Sequence, residues 1–159
     1  MVSVCFVCLG NICRSPTAEG VTRHLLRTSG LEHAIRVDSA GTAGYHRGEP
    51  PDRRAQAAAR RRGIVLDSRA RQFGGDDWRR FDYIVAMDQS NYEDLVAAAP
   101  TKELAAKVRL LRSFDPSAPK GASVPDPYYG GPKGFDDVLD MCEAAALGLI
   151  EQIRREHGF

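Results

Sequence analysis

The N-terminal residues constrain the fold most tightly, because an apolar run leads through a short loop into a helix. Residues 2–7 are rich in β-branched side chains and are followed by Gly10 and Asn11, which predicts a buried strand and then a loop. Ser15 and Pro16 are typical of a helix start, and apolar residues then recur at helical spacing. This order of elements is typical of a parallel α/β sheet.

The rest of the chain repeats the alternation. We predict further strands near residues 35–39, 83–87 and 108–111, and helices near residues 52–62 and 91–99. Five of the nine prolines fall in residues 113–134, which predicts a long loop, and such loops are often functional. The last helix has one apolar stripe, formed by Phe135, Val138, Leu139, Cys142, Ala146, Leu149, Ile150 and Ile153. We expect one domain over residues 1–159, with helices on both faces of the sheet.

Composition excludes several functional classes. Twenty-two basic and 21 acidic residues leave a formal net charge of +1, so no global field attracts nucleic acid or an anionic membrane. The arginines at 53, 54 and 60–62 resemble a nucleic-acid patch, but acidic residues balance them, and a solvated basic face is the preferred interpretation. The longest apolar run, Val2 to Leu9, is too short to cross a bilayer and follows no basic region, so we expect a cytoplasmic protein.

The loop after the first strand has the chemistry of an anion cradle. Cys8 and Arg14 lie six positions apart, with Gly10 between them and a helix directly after them. Such a loop points backbone N–H groups into one concavity, and the helix N-terminus adds partial positive charge. Arg14 can clamp two oxygens of a tetrahedral oxyanion above Cys8, while the positive surroundings and the Ser15 hydroxyl stabilise a thiolate.

The sequence Cys-Leu-Gly-Asn-Ile-Cys-Arg-Ser at residues 8–15, followed by Pro-Thr-Ala-Glu, resembles the phosphate-binding loop of low-molecular-weight protein-tyrosine phosphatases. Residues 38–42, 70–72, 86–88 and 126–130 match further family motifs in the same order. The resemblance implies a three-layer α/β sandwich of the Rossmann or flavodoxin type, with a four-stranded parallel sheet between helices. Ligands of such folds bind beyond the carboxyl ends of the strands.

Hydrolysis of a phosphomonoester needs a general acid for the leaving oxygen. Asp126 lies between two prolines in the long loop and matches the aspartate of the family's Asp-Pro-Tyr-Tyr motif, although an aspartate that only forms a turn is the alternative. We therefore predict a phosphotyrosine hydrolase with Cys8 as nucleophile, Arg14 as phosphate and transition-state clamp, and Asp126 as acid and then base. The loop and the arginine supply the charge stabilisation, so neither a metal nor a cofactor is expected.

The resemblance also implies roles for residues around these three. We expect the phosphate loop and its support to comprise Leu9, Gly10, Asn11, Ile12, Cys13, Ser15, Ser39 and Asp88, and the substrate walls to comprise Tyr45, Tyr128 and Tyr129. Capping of the neighbouring elements is the alternative for the polar residues, and ordinary packing is the alternative for each tyrosine. Ile12 favours phosphotyrosine, because relatives that hydrolyse phosphoarginine carry Thr at this point.

The cysteines allow other readings. The resemblance implies a reversible disulfide between Cys8 and Cys13, and a buried Cys13 without a redox role is the alternative. Cys5 and Cys8 form a Cys-x-x-Cys pair, but odd separations in a strand point to opposite faces, which argues against zinc or a thioredoxin-type site. The four histidines are dispersed without ligand spacing, so no metal site is expected.

Two other functions compete with the phosphatase. A thioredoxin-coupled arsenate reductase shares this loop but needs further redox cysteines, and residues 84–126 contain none. A non-catalytic phosphotyrosine-binding module is disfavoured because all three chemical groups are present. The expected partners are phosphotyrosine proteins or peptides, with phosphate or another oxyanion as product or inhibitor. We expect the protein to be a monomer or a weak homodimer. Ser68, where some animal relatives carry His, and the Tyr45 loop leave substrate preference open.

Overall fold

The computed structural model describes residues 1–128 and 130–159. Its strands are β1 (Val2–Cys8), β2 (Ile35–Gly41), β3 (Tyr83–Ala86) and β4 (Val108–Leu110). Its helices are α1 (Arg14–Thr28), α2 (Arg53–Arg60), α3 (Asp77–Arg80), α4 (Gln89–Ala98), α5 (Lys102–Ala105) and α6 (Pro132–His157), with a 3₁₀ turn at Leu111–Phe114.

The four strands form one sheet in the order β2-β1-β3-β4, and every neighbouring pair is parallel. Parallel strands end at the same edge of a sheet, so the residues that follow β1, β2 and β3 meet there. The order in which the strands are added to the sheet reverses at β1, since β2 lies on one side of it and β3 on the other. Ligands of open α/β sheets bind at such a switch point.

Alternate side chains of β1 enter two separate cores. Val4 and Phe6 belong to the cluster that includes the buried faces of α1, α2 and α6. Cys5 and Val7 belong to the cluster on the other face, with Trp78 of α3. The strand is therefore apolar on both faces, which explains its unbroken hydrophobic run. The predicted α/β fold with a parallel sheet between helices is confirmed.

Several element boundaries differ from the predictions. Helix α1 begins at Arg14 after an N-cap at Cys13, because the Ser15 hydroxyl contacts Cys8 and Ala40 rather than capping the helix. The long loop is shorter than predicted at both ends. Residues 111–114 form the 3₁₀ turn, and α6 begins at Pro132, a residue that suits the first helical position. Pattern reasoning missed α3 and α5, which have four residues each.

The predicted apolar stripe of α6 is buried along its whole length. This helix packs against α1 and α2 and so covers one face of the sheet. The proline-rich loop is held to the sheet by a backbone hydrogen bond. The N–H of Val124 donates to the carbonyl of Met87, directly after β3, at 2.7 Å. The proline-rich loop is thereby fastened beside the carboxyl ends of the strands.

Candidate active site

The loop between β1 and α1 is shaped by Asn11, whose φ of 59° lies in the left-handed region. Its side-chain nitrogen donates to Ser15 Oγ at 2.8 Å and to Ser39 Oγ at 3.0 Å. Its side-chain oxygen accepts the backbone N–H of Arg71 at 3.0 Å. One buried amide therefore ties the loop to α1, to β2 and to the segment that follows α2.

The Cys8 thiol lies at the floor of this loop and is 3% exposed. Its sulfur accepts the backbone N–H of Asn11 at 3.2 Å, and it lies 3.1 Å from Ser15 Oγ. Both contacts place hydrogen-bond donors where a thiolate would carry its charge. Ser15 also lies 3.3 Å from the carbonyl of Ala40, so its hydroxyl proton has two acceptors within reach.

Arg14 is buried and held by charge and hydrogen bonds. Its Nη1 donates to Asp88 Oδ2 at 2.5 Å and to the carbonyl of Val124 at 3.1 Å, and its Nη2 lies 3.9 Å from Asp126 Oδ2. Burial lowers the pKa of Arg14, but the neighbouring Cys8 and Asp88 outweigh that effect and raise it, so the side chain stays cationic. Asp88 also caps α4 by accepting the N–H of Asn91 at 2.7 Å.

Asp126 and two of the three predicted tyrosines border the opening. A cleft of about 300 Å³ is lined by Cys8, Leu9, Gly10, Ile12, Cys13, Arg14, Tyr45, His46, Asp126 and Tyr128. Asp126 is half-exposed, and its Oδ1 accepts the backbone N–H of Tyr128 at 3.0 Å. The guanidinium carbon of Arg54 lies 5.3 Å from the Tyr128 ring centroid, a cation–π contact. The third predicted wall residue, Tyr129, lies outside the described residues.

Cys13 is buried beside the cleft. Burial, together with the nearby Asp52 and Cys8, raises its pKa to about 12. It is therefore a protonated thiol at neutral pH. Next to it, the carbonyl of Ile12 accepts the backbone N–H of Asp52 at 2.7 Å, which seats the start of α2 against the loop.

Three residues that the sequence analysis did not assign to the site contribute to it. His46 lines the cleft, close enough that a Cβ built on Gly10 would lie 2.9 Å from its ring, and its Nδ1 is 2.9 Å from Glu49 Oε2. Its position next to Tyr45 was a signal that could have found it. Glu19 is buried and accepts the Ser39 hydroxyl at 2.5 Å, and Arg71 supplies the N–H that holds Asn11.

Comparison with known proteins decides the family. The family model described as low molecular weight phosphotyrosine protein phosphatase matches residues 3–158. The chain belongs to this family. Among its relatives, a low molecular weight protein-tyrosine-phosphatase of Streptomyces coelicolor is 50% identical, over 96% of this chain and 94% of the relative. The low molecular weight phosphotyrosine protein phosphatase of Gallus gallus is 44% identical, with 94% of each chain covered.

Solved structures agree with this assignment. A protein tyrosine phosphatase from Entamoeba histolytica, crystallised with Hepes in its active site, is 40% identical and covers 99% of both chains with a TM-score of 0.92. The predicted family and enzyme class, a protein-tyrosine phosphatase, are thereby confirmed. The mechanism and the role of each site residue stay predictions.

The described residues also bear on metal binding and on membrane insertion. Within residues 1–128 and 130–159, no group of three or more His, Cys, Asp and Glu side chains could hold a metal ion. Over the same residues, the helices lack a segment with the length and apolar character needed to cross a membrane.

Proposed function

We propose that this phosphatase hydrolyses phosphotyrosine through a cysteinyl-phosphate intermediate. One observation carries the proposal. The Cys8 sulfur, the Arg14 guanidinium and the Asp126 carboxyl line the same cleft, although they come from three separate segments of the chain. Tyr45 and Tyr128 border its opening with aromatic surface.

In the first step, the Cys8 thiolate attacks phosphorus and forms an S–P bond as the P–O bond to the phenol breaks. Arg14 and the loop N–H groups stabilise the equatorial oxygens, which carry charge in the transition state. Asp126 donates its proton to the departing phenol oxygen, which would otherwise leave as a poor phenoxide. The cysteinyl-phosphate then holds the phosphoryl group while the phenol diffuses away.

In the second step, water attacks phosphorus as Asp126, now a carboxylate, takes its proton. The S–P bond breaks, inorganic phosphate is released, and Cys8 is again a thiolate. Side chains and backbone groups of the chain itself stabilise the charges that develop in these two steps. The proposed reaction therefore needs neither a metal nor a cofactor.

Substrate preference follows from the depth of the cysteine and from the walls. Cys8 is 3% exposed, so a substrate must reach it with a long side chain. Phosphotyrosine does this and can stack on Tyr45 and Tyr128, whereas phosphoserine holds its phosphorus closer to the peptide backbone. Ile12 gives the cleft a further apolar surface that suits an aromatic ring.

The alternative function, a thioredoxin-coupled arsenate reductase, gains no support from the structure. The cysteine beyond the phosphate loop, Cys142, is fully buried in the core face of α6. A cytoplasmic location, a single domain and a monomer or weak homodimer are predictions that go with the proposal.

The test is hydrolysis of matched phosphotyrosine, phosphoserine and phosphoarginine peptides in EDTA, by the wild type and by Cys8→Ser. We expect turnover of the phosphotyrosine peptide alone and its loss in the variant. Single-turnover quenching of the wild type should trap phosphate on Cys8. Equal rates on the three peptides would contradict the substrate assignment, and activity retained by Cys8→Ser would contradict the covalent mechanism.

A further inference from the structure

A second cavity lies beside the candidate active site, and Leu9 and Tyr45 line both. It measures about 470 Å³, within the range of cavities that hold small ligands or side chains. We propose that this groove binds an apolar side chain of the substrate peptide, within three residues of the phosphotyrosine. The inference rests on the proposed function, because a phosphotyrosine in the cleft is what brings the peptide to the groove.

The floor of the groove is buried and apolar. Trp78 and Leu95 belong to the buried core on that face of the sheet and are 5% and 3% exposed. The Phe73 ring meets the Trp78 ring edge to face, with centroids 5.0 Å apart and an interplanar angle of 89°. Side chains packed in this way do not need to rearrange, so a ligand would not have to open the site.

The wall shared by the two cavities consists of large side chains that are exposed to solvent. Leu9 is 43% exposed and Tyr45 is 76% exposed. Exposed apolar side chains grouped at the mouth of a site are typical of contact surfaces. A peptide that passes over this wall covers Leu9 and Tyr45, and its next side chains come over the groove.

Chain geometry limits which residue can occupy the groove. An extended peptide advances roughly 3.3–3.6 Å per residue. The two cavities adjoin, since Leu9 and Tyr45 line both. The occupant is therefore a near neighbour of the phosphotyrosine. In an extended peptide alternate side chains point to the same side, which favours one position over those directly beside it.

Charge determines what kind of side chain is accepted. Among the described residues that line the groove, Asp94 carries the one formal charge, and it is exposed at the rim. An acidic side chain would be repelled there and would also lose hydration over the aromatic floor. Leucine buries apolar area without either cost.

The experiment uses phosphotyrosine peptides with an otherwise alanine-rich sequence, in which one leucine is moved through the three positions on each side. We expect one position to raise kcat/KM roughly tenfold through partial burial of the leucine. Glutamate at the same position should give a value below that of the alanine peptide.

Ala98→Glu and Ala97→Glu provide a matched pair of variants. Both alanines are exposed on the last turn of α4, but Ala98 lines the groove and Ala97 does not. Ala98→Glu should abolish the preference for leucine and leave hydrolysis of phenyl phosphate unchanged. Ala97→Glu should keep the preference, which controls for added charge and for helix destabilisation.

The outcomes separate this inference from the function beneath it. No turnover of any phosphotyrosine peptide would remove the proposed function itself. Turnover without a preferred leucine position, or a preference that survives Ala98→Glu, would overturn the groove alone. Sedimentation that shows a wild-type dimer, dissociated by Ala98→Glu without any leucine preference, would assign the groove to a second copy of the chain and so also overturn it.

Discussion

Replacing Asn11 separates two forces that hold the phosphate loop in shape. The residue has a φ of 59°, a conformation that Gly adopts freely, Asn tolerates and Ala resists. Its side chain also makes the hydrogen bonds to Ser15, Ser39 and Arg71. Asn11→Gly removes the hydrogen bonds and keeps the backbone relaxed, whereas Asn11→Ala removes the bonds and adds strain.

The expected magnitudes follow from these contacts. Each hydrogen bond contributes about 1 kcal/mol net, so Asn11→Gly should lower the free energy of unfolding by about 3 kcal/mol. Asn11→Ala should cost about 1 kcal/mol more, because of the left-handed backbone. For a chain of this size, that difference corresponds to about 2–4 °C in Tm. Both variants should lose at least about tenfold in kcat, since the loop no longer places its N–H groups around the phosphate.

Urea unfolding followed by fluorescence of Trp78, the single tryptophan and a buried one, measures the stability of each variant. Hydrolysis of phenyl phosphate measures the rate. Equal stability of the Gly and Ala variants would refute the argument from strain. A Gly variant as stable and as fast as the wild type would refute the argument from the hydrogen bonds.

Two further predictions concern the acid and the second thiol. Asp126→Asn should slow hydrolysis of a phenyl phosphate with a poor leaving group at least about tenfold more than one with a good leaving group, and equal losses would reject Asp126 as the acid. Burial raises the pKa of Cys13 from its ordinary value of 9.0 to about 12, so the unfolded chain loses this proton first. Stability should therefore be full below pH 9 and fall as the pH rises towards 12, by about 1.4 kcal/mol per pH unit from this group. Urea unfolding between about pH 8 and about pH 11 measures this slope of the free energy of unfolding against pH. Cys13→Ala should lose the part that comes from this thiol. An unchanged slope in the variant would assign the loss of stability to other groups.

Sequence patterns predicted the sheet because its strands carry strong local signals. Residues 2–7 and 83–87 are apolar without interruption, as expected for strands covered on both faces. The apolar stripe of α6 follows one helical face and is buried as expected. Short elements such as α3 have too few residues for a period to show, so pattern reasoning missed them.

The phosphate loop was predictable because its chemistry is contiguous in the chain. One loop and the start of one helix contain Cys8, Gly10, Arg14 and Ser15. Their spacing alone therefore indicates an anion site. The resemblance to the family motif also predicted Asp126, which lines the same cleft. His46 belongs to no such motif. Its one signal in the sequence is its position next to Tyr45, and its closeness to Gly10 arises only when the chain folds.

The sequence by itself determined the fold class and the family, since these depend on local hydrophobic period and on one short motif. It also predicted the nucleophile and its cradle. Tertiary structure alone decided which distant residues hold that cradle. Arg71 supports Asn11 from 60 positions away, and Asp88 pairs with Arg14 from 74 positions away. The groove beside the cleft was decided in the same way, because β1, β2 and the segment before α3 bring its walls together only at the shared edge of the sheet. Such contacts depend on the order of the strands, which local sequence does not encode.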